Sequence, residues 1–190
     1  LLSTVLNKIY QQNSICLGTV FSGRNNVQLE DAIGMFIKTL PLNLHINENA
    51  NFGSLAKLNQ DSIIALEEQM NLPFTGNLNE LTDFLVIYQH SDTLSKENID
   101  FGTFTLKKQK VYSTQSRFPV VFNFFESEGL KCEVEYSESI DFKIIELIWD
   151  KILVLINWVF ENSNQTIIET ELLTAQEQQL KSSVDIDFDF

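Results

Sequence analysis

The segment SGRNNVQLEDAIGMFIKTLP, Ser22 to Pro41, stands between two runs of opposite pattern. Before it, Ile15 to Phe21 is almost wholly apolar, which reads as a strand buried on both faces and placed centrally in a sheet. After it, Leu40, Leu42, Leu44 and Ile46 alternate with Pro41, Asn43 and His45, the pattern of a strand with one covered face. Pro41 cannot donate to a ladder, so this second strand is expected at a sheet edge or at its own entry point. Between the two, Gly23 permits a backbone excursion, and Leu29, Ile33 and Phe36 are spaced to line a short helical turn.

Working outward, Leu2, Val5, Leu6 and Ile9 recur at helical spacing, with Asn7, Lys8, Gln11 and Gln12 on the other face. Asn51 is placed to cap a helix that carries Phe52, Leu55, Leu58, Ile63, Leu66 and Met70 towards the core and ends before Pro73, with Glu67 and Glu68 facing water. After a Gly76-Asn77 turn, Phe84 to Gln89 reads as a strand, and another is expected within Thr103 to Tyr112. Phe118, Val120, Phe122 and Phe124 alternate, Glu126 to Gly129 turn the chain, and Leu130, Cys132, Val134 and Tyr136 alternate again, a hairpin with one solvent face. Asp141 to Glu161 places Phe142, Ile145, Ile148, Trp149, Ile152, Leu155, Ile156, Val159 and Phe160 at helical spacing, the main helix against the sheet. Asn162 to Gln165 stops it, Thr174 to Glu177 spells a capping box for a short last helix, and Asp185 to Phe190 is an acidic tail. This order predicts an α/β fold, a two-layer sandwich with a mixed, largely antiparallel sheet covered by helices.

Thirteen Lys and Arg against 26 Asp and Glu give a net charge of -13, which repels a phosphate backbone; a nucleic-acid partner is not expected. Cys16 and Cys132 sit in apolar runs without a CxxC partner and read as buried free thiols in a reducing compartment. No signal-peptide pattern follows Leu1, and Ile152 to Phe160 is too short to span a bilayer, so the chain is expected in the cytoplasm, off the membrane. Opening on Leu rather than Met fits a piece of a longer polypeptide.

Two motifs then stand out together. Gly18 to Arg24 and the Gly34-x-Phe36-x-x-Thr39-Leu40-Pro41 pattern resemble those of the condensation domain of nonribosomal peptide synthetases. Glu68 to Phe74, keeping Pro73-Phe74, looks like a worn version of the next motif, and Leu172 to Glu177 is similar to the segment that leads towards an adenylation domain. Such domains have two lobes, each similar to chloramphenicol acetyltransferase, and the chain resembles the second from Leu1 to about Leu180. The resemblance implies a C-terminal lobe over residues 1–163 and an exit linker with a short helix and acidic tail over 164–190. It implies that Ser22, Gly23, Arg24, Gly34, Phe36, Lys38, Thr39 and Pro41 shape one wall of a substrate tunnel. Lys38 stands where the family usually has asparagine, and Asn43 where arginine is common.

No catalytic residue is assigned within this chain. The family's two-histidine motif belongs to the other lobe, and the histidines here, His45 and His90, lie in separate strands with no Asp-Gly following. A general base must reach the attacking amine, so the chain is expected to be inactive alone and, with its missing N-terminal lobe, part of an amide-forming acyltransferase. Its substrates are expected on phosphopantetheine arms of peptidyl or acyl carrier proteins; no cofactor of its own and no metal site is expected. An adenylation domain is the implied neighbour. The alternative is a non-catalytic condensation-like module that binds a carrier or partner protein. A complete small trimeric acyltransferase is disfavoured for want of a suitably placed histidine.

Each tempting residue has a plainer reading beside this. Arg24 can simply tie a loop to nearby carbonyls or carboxylates. Gly23 and Gly34 serve backbone geometry, since no phosphate-cradling GxGxxG or GxxxxGK pattern is present. Asp100-Phe101-Gly102 lacks every other kinase element, and Asp83 and Asp92 are lone carboxylates. Phe118, Phe122, Phe124 and Phe125 read as core. A lobe parted from its partner exposes the apolar surface of their junction, so self-association is expected.

Overall fold

The computed structural model describes residues 1–24, 27–29, 31–70, 72–90, 98–100, 102–107, 109, 117–127 and 129–185. Asp92, Phe101, the end of the strand expected within Thr103 to Tyr112, and the tail beyond Asp185 lie outside these residues. The chain divides into two compact units, Leu1–Ile15 with Asn43–Leu66 and Asp141–Phe190, and Cys16–Leu42 with Glu67–Ile140.

The first unit is helical. Helix α1 (Leu2–Tyr10) buries Leu2, Val5 and Leu6 and stops where Gln11 turns left-handed at φ 54°. Asn7, expected on the polar face, is instead fully buried; its amide Nδ2 donates to the carbonyl of Gln12, just past the helix, at 3.0 Å, while its Oδ1 is buried without a hydrogen-bond partner among the described residues. Helix α3 (Phe142–Glu161) starts at Asp141, whose carboxylate accepts from the Lys143 N–H at 3.0 Å. Ile145, Ile148, Ile152 and Leu155, spaced three and four apart, form its buried stripe, and α1 packs against α3. Phe142 and Phe160 lie outside that arc and are exposed, against expectation.

Helix α2 (Phe52–Gln69) is capped as expected, Asn51 Oδ1 accepting from the Ser54 N–H at 2.9 Å. Its apolar set is corrected. Leu55 is buried and Leu66 half-buried on a face shared with Asn59 and Ser62, whereas Leu58 and Ile63 flank that face and are exposed. The apolar positions span more arc than one buried stripe can take. Helix α4 (Ala175–Asp185) opens on the predicted capping box: the Thr174 N–H donates to Glu177 Oε2 at 2.7 Å, and the Glu177 N–H to Thr174 Oγ1 at 3.3 Å. Lys151 of α3 donates to both Glu177 oxygens, at 2.8 and 2.5 Å, and holds that carboxyl down to about 2.

The second unit holds most of a five-stranded sheet. Its strands are β1 (Ser14–Phe21), β2 (Lys38–His45), β3 (Phe84–His90), β6 (Val120–Ser127) and β7 (Gly129–Tyr136), in the order β2-β1-β3-β6-β7. Strand β1 is interior and β2 is an edge, as the apolar run and Pro41 require. The fold class is α/β with a mixed sheet. Among the described pairs β1 runs parallel to β3 and β3 to β6, while β6 and β7 form the antiparallel hairpin. Parallel neighbours need long connections, which residues 22–83 and 91–119 supply. Strands β4 (Asn98–Asp100) and β5 (Thr105–Lys107) pair separately.

Leu85, Phe118 and Val121 form a core cluster with Val20, Leu78 and Ile87 against it. The Thr82 hydroxyl donates to the Cys16 carbonyl at 2.7 Å and accepts from the Phe84 N–H at 3.1 Å, tying the starts of β1 and β3. Lys131, Glu133 and Glu135 of β7 are exposed, but so are Leu130 and Tyr136 of the face expected to be covered, against expectation; Glu135 accepts from Asn123 of β6 at 3.1 Å. Cys16 and Cys132 are free thiols, half-buried rather than buried; burial raises both, Cys132 to about 11 with Glu133 adding to it. No described helix is long and apolar enough to cross a membrane.

Candidate functional site

All the residues singled out in the Ser22 to Pro41 segment lie in the second unit. Strand β1 ends at Phe21, and Gly23 then takes φ +70°. An added Cβ there would stand 1.9 Å from the Phe36 carbonyl oxygen, so only glycine lets the two motifs lie together. Gly34 has no such φ, but a Cβ on it would stand 3.1 Å from the Phe36 ring.

Arg24 fastens the loop. Its Nη1 donates to the Leu29 carbonyl and, at 2.8 Å, to that of Ala32, while Nη2 reaches the Gly34 carbonyl at 3.3 Å. The guanidinium lies 4.6 Å from the centre of the Phe36 ring, a cation–π contact. The Arg24 N–H donates to Ser22 Oγ at 3.3 Å, and the Ser22 side chain is exposed. This network replaces the expected helical turn: the described turn covers Val27–Leu29 alone, and Ile33 is exposed. Carbonyls that a helix over residues 29–36 would have used are taken by the Arg24 fork instead.

Lys38 opens β2, half-buried, and its ammonium donates to the Met70 carbonyl at 2.5 Å. Met70 directly follows α2, where unpaired carbonyls carry the negative end of the helix dipole; a cation is favourable there. Sequence reasoning missed this link, since nothing local signals a partner 32 residues away. Thr39 and Pro41 are half-buried on β2 and Leu40 is buried between them. Asn43, on the first unit's side of the division, accepts from Ser14 Oγ at 2.7 Å.

This arrangement can present a shaped surface with an exposed hydroxyl and fixed backbone. It holds no nucleophile–base pair. His45 is exposed in β2 and lines a surface cleft of about 520 Å³ with Asn13, Asn47 and Leu58, while His90 closes β3. Among the described residues no group of three or more His, Cys, Asp or Glu could hold a metal ion.

The chain thus combines an α/β fold on a mixed sheet with two motifs locked together by an arginine fork. The condensation domain family model matches residues 1–180, and the chain belongs to that family. It is 28% identical over 187 residues to surfactin synthase subunit 2 of Bacillus subtilis (strain 168), which covers 92% of this chain and 5% of that protein. In fold it is similar to a four-domain nonribosomal peptide synthetase solved with AMP and glycine, with a TM-score of 0.77 and 13% identity over 93% of this chain and 15% of that one. It is also similar to the X-domain solved in complex with OxyB from teicoplanin biosynthesis, with a TM-score of 0.70 and 13% identity over 91% of this chain and 42% of that one.

Proposed function

We propose that this chain is the C-terminal lobe of a nonribosomal peptide synthetase condensation domain, active only with a preceding lobe that carries the two-histidine motif. In this reading residues 1–163 form the lobe, 164–190 lead towards an adenylation domain, and the protein works in the cytoplasm. The complete domain joins a carrier-bound acyl donor to a carrier-bound amine, both presented on phosphopantetheine arms. Ser22, Gly23, Arg24, Gly34, Phe36, Lys38, Thr39 and Pro41 shape one wall of the path along which those arms meet. The observation that carries this is the Arg24 fork on the Leu29, Ala32 and Gly34 carbonyls, which makes one rigid surface of two motifs. Rigid placement is worth much in such a reaction, since a misplacement of about 1 Å can cost about a hundredfold in rate.

The test uses donor- and acceptor-loaded carrier proteins. The isolated chain should give no amide product, and the gene product that includes the upstream lobe should give it. Product from the isolated chain, or an upstream reading frame without the two-histidine motif, would overturn the catalytic reading. A second reading is a non-catalytic module that binds a carrier or partner protein, and the likeness to a domain solved in complex with another protein supports it. Under it, the longer protein binds a loaded carrier and transfers nothing.

A further inference from the structure

We propose that the aromatic row across the carboxyl ends of β1, β3 and β6, with the Glu126 carboxylate at its rim, is a recognition site for a cationic side chain on a carried aminoacyl group. This rests on reading the chain as one lobe of a condensation domain. Tyr88 and Phe124 are register partners in the parallel β3–β6 pair, so their side chains stand next to each other on one face of the sheet. Thr19 of β1 lies beside Val86 of β3, and the same register carried two residues on places Phe21 beside Tyr88. Three aromatic side chains therefore stand abreast on neighbouring strands. Tyr88 is 60% exposed, and Phe21 and Phe124 are half-buried. Glu126 follows Phe124 by two residues on the same face and is exposed, and the Tyr88 hydroxyl donates to its carboxylate across the strands. All four residues belong to the second unit.

A carboxylate bordered by aromatic rings is the chemistry that recognises an ammonium group on an aliphatic chain. The charge meets the carboxylate and the rings, and the methylenes behind it lie along apolar surface. A carboxylate has about four lone-pair sites, so a bond from one phenol leaves room for a further donor. Glu126 holds the Tyr88 phenol above its usual range, first through their hydrogen bond, so the phenol stays a neutral donor that orients the carboxylate. The net charge of -13 draws cations rather than anions towards the protein. The place is also that of a ligand site. In open sheets ligands bind outside the carboxyl ends of parallel strands, and Ser22, which opens the motif loop, directly follows Phe21.

The test uses the complete gene product with carrier-bound lysine and its uncharged analogue norleucine, each placed in turn on the donor and on the acceptor carrier. On one of the carriers lysine should be used better than norleucine by about five- to tenfold in kcat/KM. Glu126→Gln should abolish that preference through loss with lysine, and Glu126→Asp should restore part of it. Glu67→Gln, at an exposed carboxylate on α2, should leave the preference in place. Equal use of lysine and norleucine on both carriers overturns the proposal, as does a preference that survives Glu126→Gln. A readout without turnover separates this site from the functional reading. Nα-acetyl-lysine methylamide should shift the Tyr88 ring resonance of the protein carrying isotope-labelled tyrosine, identified by its loss in Tyr88→Phe, and the norleucine analogue should not. Such a shift, abolished by Glu126→Gln, with no amide product from any carrier pair would sink the functional reading and leave the site standing; product with neither shift nor preference would do the reverse.

Discussion

Arg24 shows how one side chain can decide the conformation of a loop. By taking the Leu29, Ala32 and Gly34 carbonyls it removes acceptors that a helix would need. Gly23 is the other half of this lock. Gly23→Ala places a side chain at φ +70° and 1.9 Å from the Phe36 oxygen, so chemical denaturation should show a loss of about 1–3 kcal/mol. Lys38 gives a prediction in the opposite sense to family resemblance. Lys38→Asn restores the residue common in the family, yet asparagine is too short to reach the Met70 carbonyl, and the urea midpoint should fall by an amount equivalent to about 1–2 kcal/mol. An unchanged midpoint would show that the contact is dispensable. Arg24 was legible in sequence as a tie to nearby carbonyls, because the partners are within ten residues. The Lys38 partner was not legible, since only the fold brings Met70 to it.

At the scale of elements, the span of helix α3 was legible because its apolar spacing and stop signal are local, although Phe142 and Phe160 of the expected stripe are exposed. Ile148 is 1% exposed in that stripe, and Ile148→Ala should destabilise by about 2–5 kcal/mol. The apolar residues of α2 misled, because hydrophobicity alone does not say which part of a wide arc is covered. Ile63→Ser on α2, at an exposed position, should therefore stay within about 0.5 kcal/mol of the parent protein. The start of α4 has a pH dependence with a definite sign. The Lys151 ammonium, aided by the Thr174 N–H, lowers the Glu177 carboxyl from 4.5 to about 2. Stability from a depressed carboxyl is full above its unfolded value and disappears as pH falls through its folded one. Exchange protection of α4 should therefore decline between about pH 5 and pH 2. Glu177→Gln, which can still cap but carries no charge, should remove that dependence.

For the whole molecule, the order of helices and strands could be read along the chain, and so could the interior place of β1 and the edge place of β2. The parallel pairing of β1 with β3 and β3 with β6 could not, because strands far apart in sequence choose neighbours through packing rather than local pattern. We propose that the Ser22 to Pro41 segment positions substrates without doing acid–base chemistry. Single-turnover amide formation by the complete domain, followed by intact mass of the acceptor carrier, tests this for Arg24→Lys against the parent. Lysine keeps the charge but loses the fork, so the rate should fall by about ten- to a hundredfold while its pH profile keeps its shape. An unchanged rate, or a shifted profile, would contradict the claim.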